Sequence, residues 1–185
     1  MPPAVEPVPL EALDPVLAEE VRGRTANRTL SSTLPVQVWA HVPAAATAWV
    51  RLLAELQERS GLDERLRELV RLRIAAYTQC RTCSTGRKSD LVTEDDISCL
   101  GADDGRFSAA EQAALRYADL FATDWLAVDD ATYEDLAAHF SLEEVVELQM
   151  FCALMLAGGR LAYVQRAWGD DDRPPVLAPP THVHV

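Results

Sequence analysis

The sequence predicts an all-α, single-domain helical bundle of about six to seven helices. Three observations carry that expectation: apolar residues recur at spacings of three and four, no alternating strand pattern lasts more than a few residues, and helix-start signals punctuate the chain. With 185 residues, 49% of them apolar and 25% charged, a single core-bearing domain is expected. Its bounds are read as 10–169. Prolines crowd residues 1–9 and 171–185 and forbid continued helix there, so 1–9 and 170–185 are expected to be flexible tails.

Within the domain, Trp39, Val42, Ala46, Trp49, Val50, Leu53 and Leu56 form one amphipathic stripe, with Pro43 near its start and Gly61 past its end. Asp63 opens a second periodic run through Leu66, Leu69, Val70, Ile74 and Tyr77. That run leads directly into Cys80. Thr93-Glu94-Asp95-Asp96 caps a short helix ending by Gly101, and Ser108-Ala109-Ala110-Glu111 is a capping box for a helix to about Trp125. Asp130 opens a further helix to about Phe140. Ser141-Leu142-Glu143-Glu144 is a second capping box and starts the longest helix, to about Trp168. Gly158-Gly159 inside it costs about 1 kcal/mol per residue against Ala, which close helix packing or a subunit contact would offset.

A formal net charge of -12 repels phosphate backbones, so nucleic acid is excluded as an expected partner. The uncharged stretch from Leu148 to Gly159 is short of the roughly 20 residues a bilayer span needs, and residues 1–9 lack the pattern of a secretory signal. No membrane association is expected, and the cytoplasm is the expected compartment. His182 and His184 in the last tail offer no preorganised metal site.

Cys80-Arg81-Thr82-Cys83 is a C-x-x-C, and i, i+3 spacing on a helix puts both sulfurs on one face within reach of a disulfide. Three readings compete. The pair can be ordinary buried cysteines, or half of a zinc site completed from Cys99, Cys152, His41 and His139, or a redox pair. The redox reading is favoured, because a helix break near Thr78-Gln79 would put Cys80 at a new helix N-terminus, where unpaired N–H groups favour thiolate. Arg81 and Arg87 would add to that field. Cys99 and Cys152 stand apart and read as packing residues, and no metal or other cofactor is expected. His41 is a candidate base at a helix start, and His139 a residue that complements a helix end.

The stretch from Glu68 to Cys83 resembles the signature of the alkylhydroperoxidase D / carboxymuconolactone decarboxylase family, a glutamate followed after eleven residues by C-x-x-C. Ala40-His41-Val42-Pro43 with Trp49, and Glu143-Glu144-Val145-Val146-Glu147-Leu148, resemble flanking helices of the same family. The resemblance covers about residues 35 to 169. It implies an alkylhydroperoxidase D-like helical domain, commonly a trimer or hexamer, whose two-cysteine branch reduces hydroperoxides or exchanges thiols with a dithiol or lipoyl-bearing reductant. In that reading Cys83 attacks peroxide, Cys80 resolves the sulfenic acid and Glu68 feeds a proton relay.

The family pattern has a relay histidine where this chain has Arg87, and no histidine lies between the two cysteines. Arginine stays protonated and cannot pass a proton, although its charge can lower a thiol pKa. Arg87→His is thus expected to restore a relay and raise peroxidase turnover. Two other functions stand beside this one. A lyase acting on a lactone or small acid would use Arg73 or Arg87 to hold a carboxylate, and a non-catalytic descendant would only bind. A homo-oligomer is expected from the Gly158-Gly159 step and the four tryptophans.

Overall fold

The computed structural model describes residues 2–100 and 105–169. Among them are nine α-helices: α1 (Pro15–Ala26), α2 (Leu34–Trp39), α3 (Pro43–Glu58), α4 (Glu64–Thr78), α5 (Arg81–Thr85), α6 (Glu94–Ser98), α7 (Ala109–Thr123), α8 (Asp130–Ala137) and α9 (Leu142–Val164). Short 3-10 turns at Leu10–Ala12 and Trp125–Ala127 are the remaining regular elements, and no strand occurs among the described residues. The all-α expectation holds. The count exceeds six to seven because α1, α2 and α5 carry thin apolar patterns. Only Leu17 and Val21 of α1 are buried.

Local chemistry fixes most boundaries. Asp14 accepts from the backbone N–H groups of Val16 and Leu17, with Pro15 as the first helical residue of α1, a start that needs no broad apolar stripe. Trp39 ends α2 rather than opening α3. Proline cannot donate to the preceding turn, so Pro43 breaks the run and starts α3 afresh. The expected boxes at Ser108 and Ser141 are both formed. α8 opens at Asp130 as expected, and the carboxylate of its cap Asp129 accepts from the Thr132 N–H. α6, capped by Thr93 as expected, ends at Ser98, before Gly101.

α4 runs through the middle. Leu66, Val70 and Ile74 face Tyr117 of α7, Leu136 of α8, and Leu148 and Phe151 of α9. Leu69, Leu72 and Ala76 face the other way, onto Val92, Ile97, Phe107 and Leu115. A helix buried on opposite faces is a core element rather than an amphipathic surface helix. A third cluster joins Leu13, Leu17 and Val21 to Val36, Ala46 and Val50. Arg73 forks onto Asp119 of α7, and Tyr77 donates to the same carboxylate. Arg65 forks onto Asp96, and that hydrogen bonding holds the Asp96 carboxyl well below the usual range.

The proline-rich start, expected as a flexible tail, is tied to the body. The Ala4 N–H donates to Gln165 O at 2.8 Å, the Val8 N–H to Gln37 O at 3.0 Å, and the Gln37 side chain to Val8 O. Prolines exclude helix, yet the remaining N–H groups still find partners. The tail expected at 170–185 lies outside the described residues. α9 is long and apolar enough to cross a membrane by length and composition, but here its Leu148, Phe151 and Cys152 are fully buried against α4 and α7.

The glycine step of α9 is used inside the chain. A Cβ on Gly159 would collide with the Thr78 side chain of α4, whereas one on Gly158 would meet Trp49 at an ordinary 3.5 Å. Only the first is sterically required, and one of the two grounds for expecting an oligomer falls away. The two positions should therefore respond oppositely. Gly159→Ala should destabilise by about 1–3 kcal/mol through overpacking, while Gly158→Ala should gain up to about 1 kcal/mol of helix propensity. Urea denaturation of both variants checks this, and equal effects would contradict it.

Candidate active site

The site begins where α4 stops. Gln79 adopts a left-handed conformation (φ 52°) and closes α4, and Cys80 then caps α5 with its sulfur accepting the Cys83 N–H at 3.3 Å. The break expected near Thr78-Gln79 is present. Cys80 and Cys83 are disulfide-bonded with Cα atoms 5.2 Å apart. Cys80 is 1% exposed, whereas Cys83 is only half-buried and lines a cavity.

That cavity has a volume of about 110 Å³ and lies between α2, α3, α4 and α9. Trp39, Trp49, Leu53 and Met155 are among its mainly apolar walls, and the two tryptophan rings touch at 5.4 Å between centroids. Thr82, Arg71 and Lys88 bring polar atoms to the cysteine end.

Glu68 is 2% exposed and Arg71 4% exposed. They form a two-pronged pair, Nε to Oε2 at 2.7 Å and Nη2 to Oε1 at 2.8 Å. Arg71 also donates to the carbonyls of Cys83 (2.5 Å) and Gly86 (2.6 Å), and the Lys88 N–H donates to Glu68 Oε1 at 3.0 Å. Every segment from the second cysteine to Lys88 is thus pinned to one buried pair on α4. Sequence reasoning singled out Glu68 and missed Arg71. Their i, i+3 spacing was the available signal.

Arg87, at the position of the family's relay histidine, has its guanidinium engaged by neighbouring groups. It donates to Glu94 at 3.0 Å and to Ser84 O at 2.6 Å, and it does not line the cavity. Its charge is answered by Glu94 instead of being offered to Cys83. Arg81 lies over the Trp168 ring at 4.7 Å. His41 meets Glu6 O at the surface and His139 packs edge-on to Phe140, so neither joins the cysteines. Cys152 is fully buried, which pushes its thiol pKa up, and Cys99 sits beside Ser98. Among the described residues no three His, Cys, Asp or Glu side chains converge as metal ligands.

Lys88 escaped the sequence reading. Its ammonium donates to Arg28 O at 2.5 Å and Thr29 O at 2.7 Å. Burial first, then the nearby Arg71 charge, push its pKa down to about 7, with Glu68 opposing.

A helical protein with a C-x-x-C at a helix N-terminus, one sulfur buried and the other facing an apolar cavity, is the class that fold and site define. Residues 43–120 match the carboxymuconolactone decarboxylase family. The uncharacterized protein YnjA of Escherichia coli (strain K12) is 32% identical over 133 residues, covering 68% of this chain and 73% of that protein. The chain belongs to the carboxymuconolactone decarboxylase family. A protein of unknown function from Agrobacterium tumefaciens, described as a putative antioxidant defence protein AhpD, shares the fold with a TM-score of 0.62, 26% identity, and coverage of 70% of this chain and 92% of that one. A peroxidase-related protein from Ralstonia eutropha JMP134, an AhpD core, has a TM-score of 0.67 at 22% identity, with 92% and 94% covered. The debrominase Bmp8 in complex with 2,3,4-tribromopyrrole has a TM-score of 0.77 at 16% identity, with 92% and 94% covered. The fold is that of the AhpD-like helical proteins.

The two arginines near the cysteines should behave differently. Arg71→Met strands a buried carboxylate and should cost about 3–5 kcal/mol, whereas Arg87→Met removes a pair whose Glu94 partner is exposed and should cost at most about 1 kcal/mol. Denaturant midpoints measure both, and similar losses would contradict the assigned roles.

Proposed function

We propose that the protein is a thiol–disulfide oxidoreductase that reduces hydroperoxides with Cys83 and Cys80. The observation that carries this reading is the unequal exposure of the two sulfurs: Cys83 faces the cavity and Cys80 is buried behind it. Cys83 as thiolate attacks the terminal peroxide oxygen, the S–O bond forms as the O–O bond breaks, and the alcohol leaves. Cys80 then attacks the Cys83 sulfur, a disulfide forms and water departs. A dithiol or lipoyl-bearing reductant restores both thiols. The apolar walls favour an organic hydroperoxide over hydrogen peroxide, since each buried methylene adds about 0.8 kcal/mol.

Glu68 serves this chemistry by holding Arg71 and the Lys88 amide, and Arg87 serves it by fixing the loop to Glu94. The lyase reading is less well supported, because Arg73 is committed to Asp119 and Arg87 to Glu94. The reading fits the cytoplasm, where thiols are kept reduced. It also fits a homo-oligomer, trimeric or hexameric as in the resembling family, built on the exposed α9 stripe of Leu142, Val146, Met150 and Val164.

Peptide mapping of the reduced protein after stoichiometric cumene hydroperoxide should recover a Cys80–Cys83 disulfide with Cys99 and Cys152 unmodified. Cys80→Ser should stop at Cys83 sulfenic acid, and Cys83→Ser should not react. Free thiols at both positions after treatment would reject the reading.

A further inference from the structure

We propose that Lys88 is the proton partner of Cys83: in the reduced protein its ammonium faces the Cys83 thiolate in the cavity and gives its proton to the oxygen leaving a hydroperoxide. The donor half rests on the hydroperoxide reading above. The pairing half does not.

The first support is compositional. Of the 17 lysine and arginine residues, Lys88 is the single lysine. Arginine cannot release its proton in a protein, whereas lysine titrates readily when buried. The one lysine of the chain therefore stands on the wall of the cavity that holds the accessible cysteine.

The second support is placement. The Lys88 backbone is anchored on Glu68, and its ammonium is anchored on the Arg28 and Thr29 carbonyls. An ammonium has three N–H donors; these two carbonyls occupy two of them, and Lys88 lines the same cavity as Cys83. Other proton carriers are committed elsewhere. Both Glu68 oxygens are held by Arg71, and His41 lies at Glu6 O.

The charged surroundings explain why this lysine can cycle. Glu68 and Arg71 face it from α4. Arg28 approaches from the loop after α1 and is itself paired with Asp90. Glu58 of α3 accepts from the Thr29 hydroxyl, and Glu64 and Arg67 of α4 line the cleft that Lys88 shares on its other side. Burial and Arg71 destabilise the ammonium while the cysteines are oxidised. A thiolate formed on reduction supplies the missing counter-charge.

The protons then balance over a full cycle. Reduction by a dithiol delivers two protons with two electrons, leaving Cys80 as thiol and Cys83 with Lys88 as a thiolate–ammonium pair. Attack on the hydroperoxide makes Cys83 sulfenic acid, and the alkoxide takes the Lys88 proton to leave as alcohol. Condensation with the Cys80 thiol expels water and returns the disulfide beside a neutral Lys88 amine. Protonation of Lys88 is thus coupled to the redox state of the pair.

A single lysine makes the test direct. In protein carrying isotope-labelled lysine, the one side-chain NMR signal should titrate near neutrality when oxidised, and about one pH unit or more higher when reduced. Cys83→Ser should lose that rise under the same reductant. An identical titration in both redox states, or a rise that persists in Cys83→Ser, overturns the pairing. Lys88→Arg keeps the charge but holds its proton. Oxidation by cumene hydroperoxide at neutral pH should then fall about tenfold or more, while alkylation of Cys83 by iodoacetamide stays within about twofold of wild type. Unchanged oxidation in Lys88→Arg overturns the donor role. If wild type consumes no hydroperoxide yet shows the redox-linked shift, the hydroperoxide reading and the donor role fail and the pairing is supported.

Discussion

The rest of the site depends on one buried interaction, the paired side chains of Glu68 and Arg71 on α4. Taking two charges out of water is costly, and their attraction compensates only when the geometry is good and the remaining hydrogen-bonding groups are satisfied. Here they are satisfied by the segment that matters. Arg71 gives four of its five donors to Glu68 and to the Cys83 and Gly86 carbonyls, and Glu68 also accepts from the Lys88 amide. A five-residue helix such as α5 has little stability of its own. The ion pair gives it a fixed position against the central helix.

Two consequences follow for the chemistry. The close approach of α9 at Gly159 puts its backbone against Thr78, two residues before Cys80, and α9 supplies a wall to the cavity. The same arrangement buries Cys80 and leaves Cys83 to meet whatever enters. Burial first, and then the same Arg71 charge that holds the loop, disfavour the Lys88 ammonium while the two cysteines are bonded.

Much of the fold was legible in the sequence. Asp63, Ser108 and Ser141 start helices because side-chain caps act on their immediate neighbours, and such local chemistry can be read from order alone. The paired cysteines and Glu68 were legible too, through their spacing. What escaped depends on contacts between distant segments. α1 rests on two buried side chains and an Asp cap, so its stripe was too thin to register. Arg87 is drawn to Glu94 seven residues onward, and no spacing rule ranks that partner above Cys83. Arg71 looked like one of several arginines on a helix until burial singled it out. Lys88 carried a compositional signal as the only lysine, but its meaning required the cavity.

The central claim is that the Glu68–Arg71 pair holds the cysteine loop in place. Hydrogen exchange of the oxidised protein, comparing wild type with Glu68→Gln, tests it most directly, because the Ser84, Gly86 and Lys88 amides all donate within or from that loop. The account predicts that these amides lose protection by about tenfold or more while the α4, α7 and α9 core amides keep theirs, as expected for local rather than global opening. Loop protection that is unchanged in Glu68→Gln would contradict it.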